Sequence, residues 1–257
     1  MILALLLALQ APSTEGVAVR MSDEAQLASC TAKVKEDAAK AAEAANEWLI
    51  RGGGLEARQC LGLAYAAMER WAPAATVYEQ AARAAETERD NRRADLWVQG
   101  ANAWLAAGEP AKARAAVDAA LATGLLAPEL RGEAHLDRAR AGVALGELAS
   151  ARSDIDKGLE LVPDDPFAWY LSSALALRED DLAKAKAHAD KALALAPTDP
   201  DVLVHAGNVA GVSGSVAEAR TLFERAIQAA PDSEAGKRAA AALAMNSGEE
   251  PTAPPQP

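Results

Sequence analysis

Apolar and small residues return along the second half of the chain at a fixed interval of 34 residues. Pro163, Pro197 and Pro231 mark it, as do Ala151, Ala185 and Ala219, and likewise Leu148, Leu182 and Val216. Gly146, Asp180 and Gly214 keep the same spacing, and Asp165-Pro166 recurs as Asp199-Pro200. Each column has a physical reading. A helix of about 14 residues ends at the Gly/Asp position, where the chain turns tightly. The apolar residue two positions on fills the gap between helices, and the alanine three later lets the next helix approach. A large residue (Ile155 or Phe223) follows one turn further along the same face. Proline closes the unit after the second helix. The period therefore predicts helical hairpins stacked in series.

These columns resemble the tetratricopeptide repeat (TPR) family, whose 34-residue helix-turn-helix unit carries this pattern. Five repeats can be placed, at 55–88, 94–127, 132–165, 166–199 and 200–233. The first supplies Leu61, Gly62, Tyr65, Trp71, Ala74, Tyr78 and Ala81; the second Trp97, Trp104, Gly108, Ala113, Val117 and Ala120. The third gives Gly146, Leu148, Ala151, Ile155 and Pro163, and the fourth Trp169, Leu182, Ala185, Ala192 and Pro197. The last gives Gly207, Gly214, Ala219, Phe223, Ala226 and Pro231. Two connections are longer: Ala74 to Ala113 is 39 residues and Ala113 to Ala151 is 38, which leaves room for an extra helical turn in each. Gly158 stands where the family has alanine, and Ala189 where it has an aromatic.

Upstream, residues 12–54 read as a degenerate N-terminal hairpin. Its first helix starts near Ser22 or Asp23 as N-cap and runs to Lys35. The second runs from Glu36 to Ile50, with Ala41, Ala45 and Trp48 on one stripe, and ends at Gly52-Gly53-Gly54. Downstream, residues 234–246 read as an alanine-rich helix covering the open end of the last repeat, as solenoids require. The proline-rich stretch 247–257 has no donors for helix or sheet and is expected to be a disordered tail. The resemblance implies one all-α, right-handed α-solenoid.

Composition agrees with this and narrows the function. Alanine fills about a quarter of the 257 residues while aromatics are only 4%, which suits closely packed helices and not a β-sandwich. A net charge of −11 argues against binding a phosphate backbone, so no nucleic-acid partner is expected. Three histidines and two cysteines leave little material for chemistry. No two histidines share a metal-ligand spacing, so neither a metal nor a cofactor is expected. His135 falls in a bulky core column, and His188 among lysines on a second helix, where it reads as solvated surface. His205 lies on a first helix near the groove, and alone among the three has a claim to ligand contact. The paired carboxylates lie at turns and helix starts, where they cap. No enzyme is indicated; an enzyme subunit using His205 is the weakest alternative.

The run Ile2 to Leu9 is too short to span a bilayer, which needs roughly 20 apolar residues. It matches the apolar region of a secretory signal ending near Ala11, although the stretch before it has no Lys or Arg. A misplaced start or a hydrophobic helix are the alternatives. Export to the periplasm or medium is therefore the expected location, with the cytoplasm as its alternative. First helices of neighbouring repeats pack side by side in the family, which would bring Cys30 and Cys60 within bonding reach. A disulfide is favoured in an exported chain; otherwise they are two buried thiols.

In the family, first helices line a concave groove that takes a peptide. The matching positions are Gln59 and Leu63; Val98, Asn102 and Leu105; Leu136 and Arg140; Phe167, Tyr170 and Arg178; and Val204 and Asn208. Asparagine satisfies donor and acceptor of an extended backbone, Tyr170 adds apolar area, and Arg140 and Arg178 suit a carboxylate. The Lys/Asn clamp of chaperone-binding relatives is absent, since Gln59 and Leu63 stand in its place. The resemblance thus implies a non-catalytic scaffold with a protein or peptide partner, either in the envelope or as a cytoplasmic adaptor.

Overall fold

The computed structural model describes residues 22–247, and the signal-like run and the proline-rich tail lie outside them. Thirteen α-helices make up the described chain. They are α1 (Asp23–Glu36), α2 (Ala38–Ile50), α3 (Gly54–Ala67), α4 (Trp71–Glu88), α5 (Arg93–Ala106), α6 (Pro110–Ala122) and α7 (Pro128–Ala144). Then follow α8 (Leu148–Leu161), α9 (Pro166–Arg178), α10 (Leu182–Leu195), α11 (Pro200–Val212), α12 (Val216–Ala229) and α13 (Glu234–Ser247). Each helix packs on the next. Odd-numbered helices also touch one another, in the pairs α1–α3, α5–α7, α7–α9, α9–α11 and α11–α13. The first helices thus form one layer of an all-α solenoid, and α13 closes it by packing on both α11 and α12.

One turn joins the two helices inside each of the five repeats. Between α3 and α4 the Arg70 N–H returns to the Tyr65 carbonyl at 2.9 Å. The equivalent bonds are Glu109 to Trp104, Glu147 to Gly142, Asp181 to Ala176 and Ser215 to Ala210, at 2.8–2.9 Å. Each closes a helix end through a residue at positive φ. Glycine fills that place at Gly108, Gly146 and Gly214, whereas Glu69 and Asp180 hold φ values of 56° and 58°. Helix starts are fixed by Pro110, Pro128, Pro166 and Pro200 in the first turn, and by side-chain caps from Ser22, Asp37, Asp165, Asp181 and Asp199. Asp37 is the cap of α2, so α1 keeps Glu36 and the second helix starts at Ala38.

The two longer connections resolve differently. The first lengthens α4 to 18 residues, ended by Arg89 at φ 56°. The second lets α7 begin at Pro128, one turn before Gly132, giving 17 residues.

Small and large residues interlock across each hairpin. A methyl on Gly62 would sit 2.6 Å from the Tyr78 ring, and one on Gly207 would sit 2.7 Å from Phe223. The third repeat reverses the pair. Leu136 on α7 supplies the bulk and occupies the space that a side chain on Gly158 would need, 2.5 Å away. That is why glycine replaces alanine there.

A polar seam runs through the core between α8 and α9. Ser172 and Ser173 on α9 are fully buried. Arg152 of α8 donates to Ser172 Oγ at 2.8 Å and to Glu179 at 2.7 Å. The Ser172 hydroxyl is left to donate to His188 Nδ1, 2.8 Å away, whose ring meets the edge of Trp169. His188 is accordingly half-buried against α9 and not the solvated surface residue expected, because Trp169 covers it. His135 is partly buried and bonded to Asp154 at 3.0 Å, while Asp154 also accepts from Arg138.

Candidate functional site

On an α-helix, residues at i, i+4 and i+7 share one stripe. Stripes of mainly polar residues of this kind run along three of the first helices. On α5 the stripe is Asp95, Gln99 and Asn102; on α7, Glu133, Asp137 and Arg140; on α11, Asp201, His205 and Asn208. On α9, Phe167 and Tyr170 lie one turn apart on the same side.

These stripes join into a continuous band. Asn102 lies close enough to Asp137 across the α5–α7 contact to favour its charged form. Asp137, only 7% exposed, accepts from Arg140 Nη1 at 3.0 Å. The Arg140 guanidinium lies over the Phe167 ring, 5.7 Å from its centre. Phe167 stacks on Tyr170 at 6.0 Å, and Tyr170 lies against the His205 ring at 4.5 Å. His205 Nε2 is 2.8 Å from Ser173 Oγ, whose hydroxyl donates to the Ala185 carbonyl at 2.6 Å. His205 therefore donates through Nε2, and its Nδ1 is an acceptor.

Burial sets the charge states. It pushes the Asp137 carboxyl above its ordinary value; Arg140 and Asn102 pull it back, and the neighbouring Glu133 charge adds to the rise. Burial holds His205 down to about 4, so the imidazole is neutral near pH 7. The Gln99 side-chain oxygen is buried without a donor, as is that of Gln59.

The expected groove residues divide into those on open surface and those in the core. Asn102, Arg140, Phe167, Arg178 and Asn208 are exposed; Gln59, Leu63, Leu105 and Tyr170 are half-buried. Val98, Leu136 and Val204 are instead core residues, with Leu136 only 1% exposed. They sit one residue before the stripe, a rotation of 100° that turns them into the hairpin, as the Leu136–Gly158 contact shows. His205 is 8% exposed and sits beneath Tyr170, which leaves it less open than a groove ligand would be. Arg178, eight residues beyond Tyr170, lies about 12 Å further along α9. The residues missed are Gln99 and Asp137. Their signal was in the repeat, since Gln99, Asp137, Leu171 and His205 occupy one column.

At the N-terminal end Cys30 of α1 and Cys60 of α3 are bonded, with Cα atoms 6.0 Å apart. Beside the bridge is an open cavity of about 720 Å³ lined by Ser29, Lys33, Trp48 and Arg51. Among the described residues no helix is long and apolar enough to cross a membrane.

Comparison with known proteins agrees with this architecture. One family model described as tetratricopeptide repeat matches residues 98–166 and 136–200, and a second with the same description matches 176–249. No curated protein sequence matches the chain. Among solved structures, a thermophilic TPR protein of Thermus thermophilus is 21% identical, with a TM-score of 0.61, over 74% of this chain and 99% of its own. Pseudomonas aeruginosa pilF gives 15% identity and a TM-score of 0.66, over 86% of this chain and 97% of that one. YrrB, described as a TPR protein with an unusual peptide-binding site, gives 17% and 0.51, over 73% and 90%. These likenesses establish the fold alone. With the repeat columns, the shared turn and the two family matches together, the chain belongs to the tetratricopeptide-repeat family.

Proposed function

We propose that this protein is a non-catalytic scaffold that holds an extended segment of another protein on its concave face, in an oxidising envelope compartment. The single observation that carries the binding half is the band from Asn102 through Arg140, Phe167 and Tyr170 to Asn208. It offers open amides and an exposed aromatic ring on one layer of parallel helices. A peptide backbone needs alternating donors and acceptors with some apolar cover, and asparagine and tyrosine supply both. YrrB's peptide-binding site, on a likeness of fold, is in keeping with this use.

Export is supported by the apolar run Ile2 to Leu9 and by the Cys30–Cys60 bridge, since such bridges persist in oxidising compartments. Two measurements test the reading. A photo-crosslinking residue at Phe167 or Asn208 is expected to capture a partner, while one at Glu224 on α12 is not; equal capture from both faces would overturn the groove. The intact mass of protein from its native host should correspond to a start near Pro12 and rise by about two hydrogens on reduction. A full-length, unbridged mass would place the scaffold in the cytoplasm.

A further inference from the structure

The band is not electrically even. The geometry points to a cationic ligand: the groove takes a Lys or Arg side chain of its partner between α5 and α7, with an aromatic or proline residue beside it on Phe167 and Tyr170. This rests on the concave face being the binding surface.

Three carboxylates, Asp95, Glu133 and Asp137, lie on adjoining stripes of α5 and α7. Only Arg140 opposes them on those stripes. Asp95 and Glu133 are exposed, and Glu133 lies close enough to Asp137 to act on its ionisation. The corresponding acids at either end are already neutralised. Glu56 is paired with Arg92 at 2.8 Å, and Asp201 with Arg238. The α5–α7 segment is therefore where uncompensated negative charge meets the groove.

The floor points the same way. Gln99, between Asp95 and Asn102, has a buried oxygen without a donor, and Asp137 is a carboxylate nine-tenths buried. Both are acceptors that an ammonium or guanidinium satisfies. A ligand carboxylate fares worse. It would have to displace Asp137 from Arg140 while facing Glu133 and Asp95, and Arg178 stands about 12 Å beyond Tyr170 along α9. Next to the acids, the Phe167–Tyr170 stack presents a flat apolar face, with Phe167 41% exposed. A long cationic side chain lays its methylenes on such a face, and the neighbouring ring or proline covers the rest.

The test is selection of a random dodecapeptide library on the immobilised full chain at low salt. Lys or Arg next to an aromatic or proline is expected to be enriched over Asp and Glu. The selected peptides should bind the Asp95→Asn, Glu133→Gln double variant about five- to tenfold more weakly, two exposed charges being removed. Their affinity for the unaltered protein should fall as salt rises. Both substituted residues are exposed, and unchanged circular dichroism of the variant excludes misfolding. Enrichment of acidic peptides, or unchanged affinity for the double variant, overturns the cation seat. If the peptides lose affinity for Phe167→Ala but ignore the charge changes, the groove stands and only the seat falls. Indifference to Phe167→Ala as well, or no enrichment at all, overturns the groove itself.

Discussion

At the scale of single residues, two glycines on first helices behave oppositely. Gly100 on α5 is buried, yet an added methyl would meet Tyr78 Cβ at 3.6 Å, an ordinary contact. A methyl on Gly62 of α3 would instead meet the ring of the same tyrosine at 2.6 Å. Gly100→Ala should therefore stabilise by about 0.5–1 kcal/mol through helix propensity. Gly62→Ala should destabilise by about 1–3 kcal/mol through overpacking, and urea melts of the two variants would compare them directly. His205 gives a pH prediction. Its folded value of about 4 lies below the usual 6.5, so between those values the unfolded chain binds the extra proton. Stability contributed by the neutral ring is complete above about 6.5 and falls away as pH drops toward 4, by up to about 3 kcal/mol. Asp137, whose carboxyl is raised by burial, works in the opposite direction on acidification. The difference between the unaltered protein and His205→Gln isolates the histidine: the unaltered protein should lose more Tm between pH 7 and pH 4.5. Equal losses would refute the assignment.

At the scale of elements, the repeats were legible because their columns are set by steric necessity: a tight turn, a small residue at a close approach, a large one opposite. The open stripe of the first helices was legible only to within one residue. Val98, Leu136 and Val204 are apolar at a position expected to be open to ligand, and the one-residue rotation inward follows from burying them. Asp137 escaped notice because a lone acid on a helix usually stands in water. Only the contact with Arg140 and Asn102 marks it as part of the site. The break between α1 and α2 falls at Asp37, just after the expected Lys35–Glu36 boundary, because Glu36 and Asp37 both suit a first turn. Helix α1 buries only Cys30 fully, with Leu27 and Val34 partly covered. The Cys30–Cys60 bond is thus a principal attachment, and closing its 30-residue loop contributes roughly 3–4 kcal/mol in the chain-entropy model. In the Cys30→Ser, Cys60→Ser variant, amide exchange should accelerate throughout α1 while α5 to α11 keep their protection. Uniform acceleration along the chain would contradict a local role.

At the scale of the whole molecule, stability in a solenoid is the sum of units and their nearest-neighbour contacts, so its weakest junction decides where cooperativity fails. The junction of α8 with α9 is the polar seam, where Arg152 (side chain 14% exposed) ties Ser172 and Glu179 together. Arg152→Ala leaves buried Ser172 short of a donor and frees Glu179, at a cost of about 2–3 kcal/mol. The loss falls on one junction, so unfolding should separate into two steps. Trp48, Trp71, Trp97 and Trp104 report the N-terminal side and Trp169 the seam. Fluorescence and far-UV dichroism melts should then cease to coincide, and coincident melts would show that the seam does not limit cooperativity.

The bridge between α1 and α3 also determines how the molecule bears a load. A pull on the N-terminal end enters at Cys30 and passes straight to Cys60, so α2 hangs in a closed ring outside the force path. Traction reaches the repeats on α3 without first unravelling the hairpin, and the ring stores about 100 Å of contour that stretching cannot release. A single-molecule extension trace should gain that length when a reductant is added, and at no other point along the array.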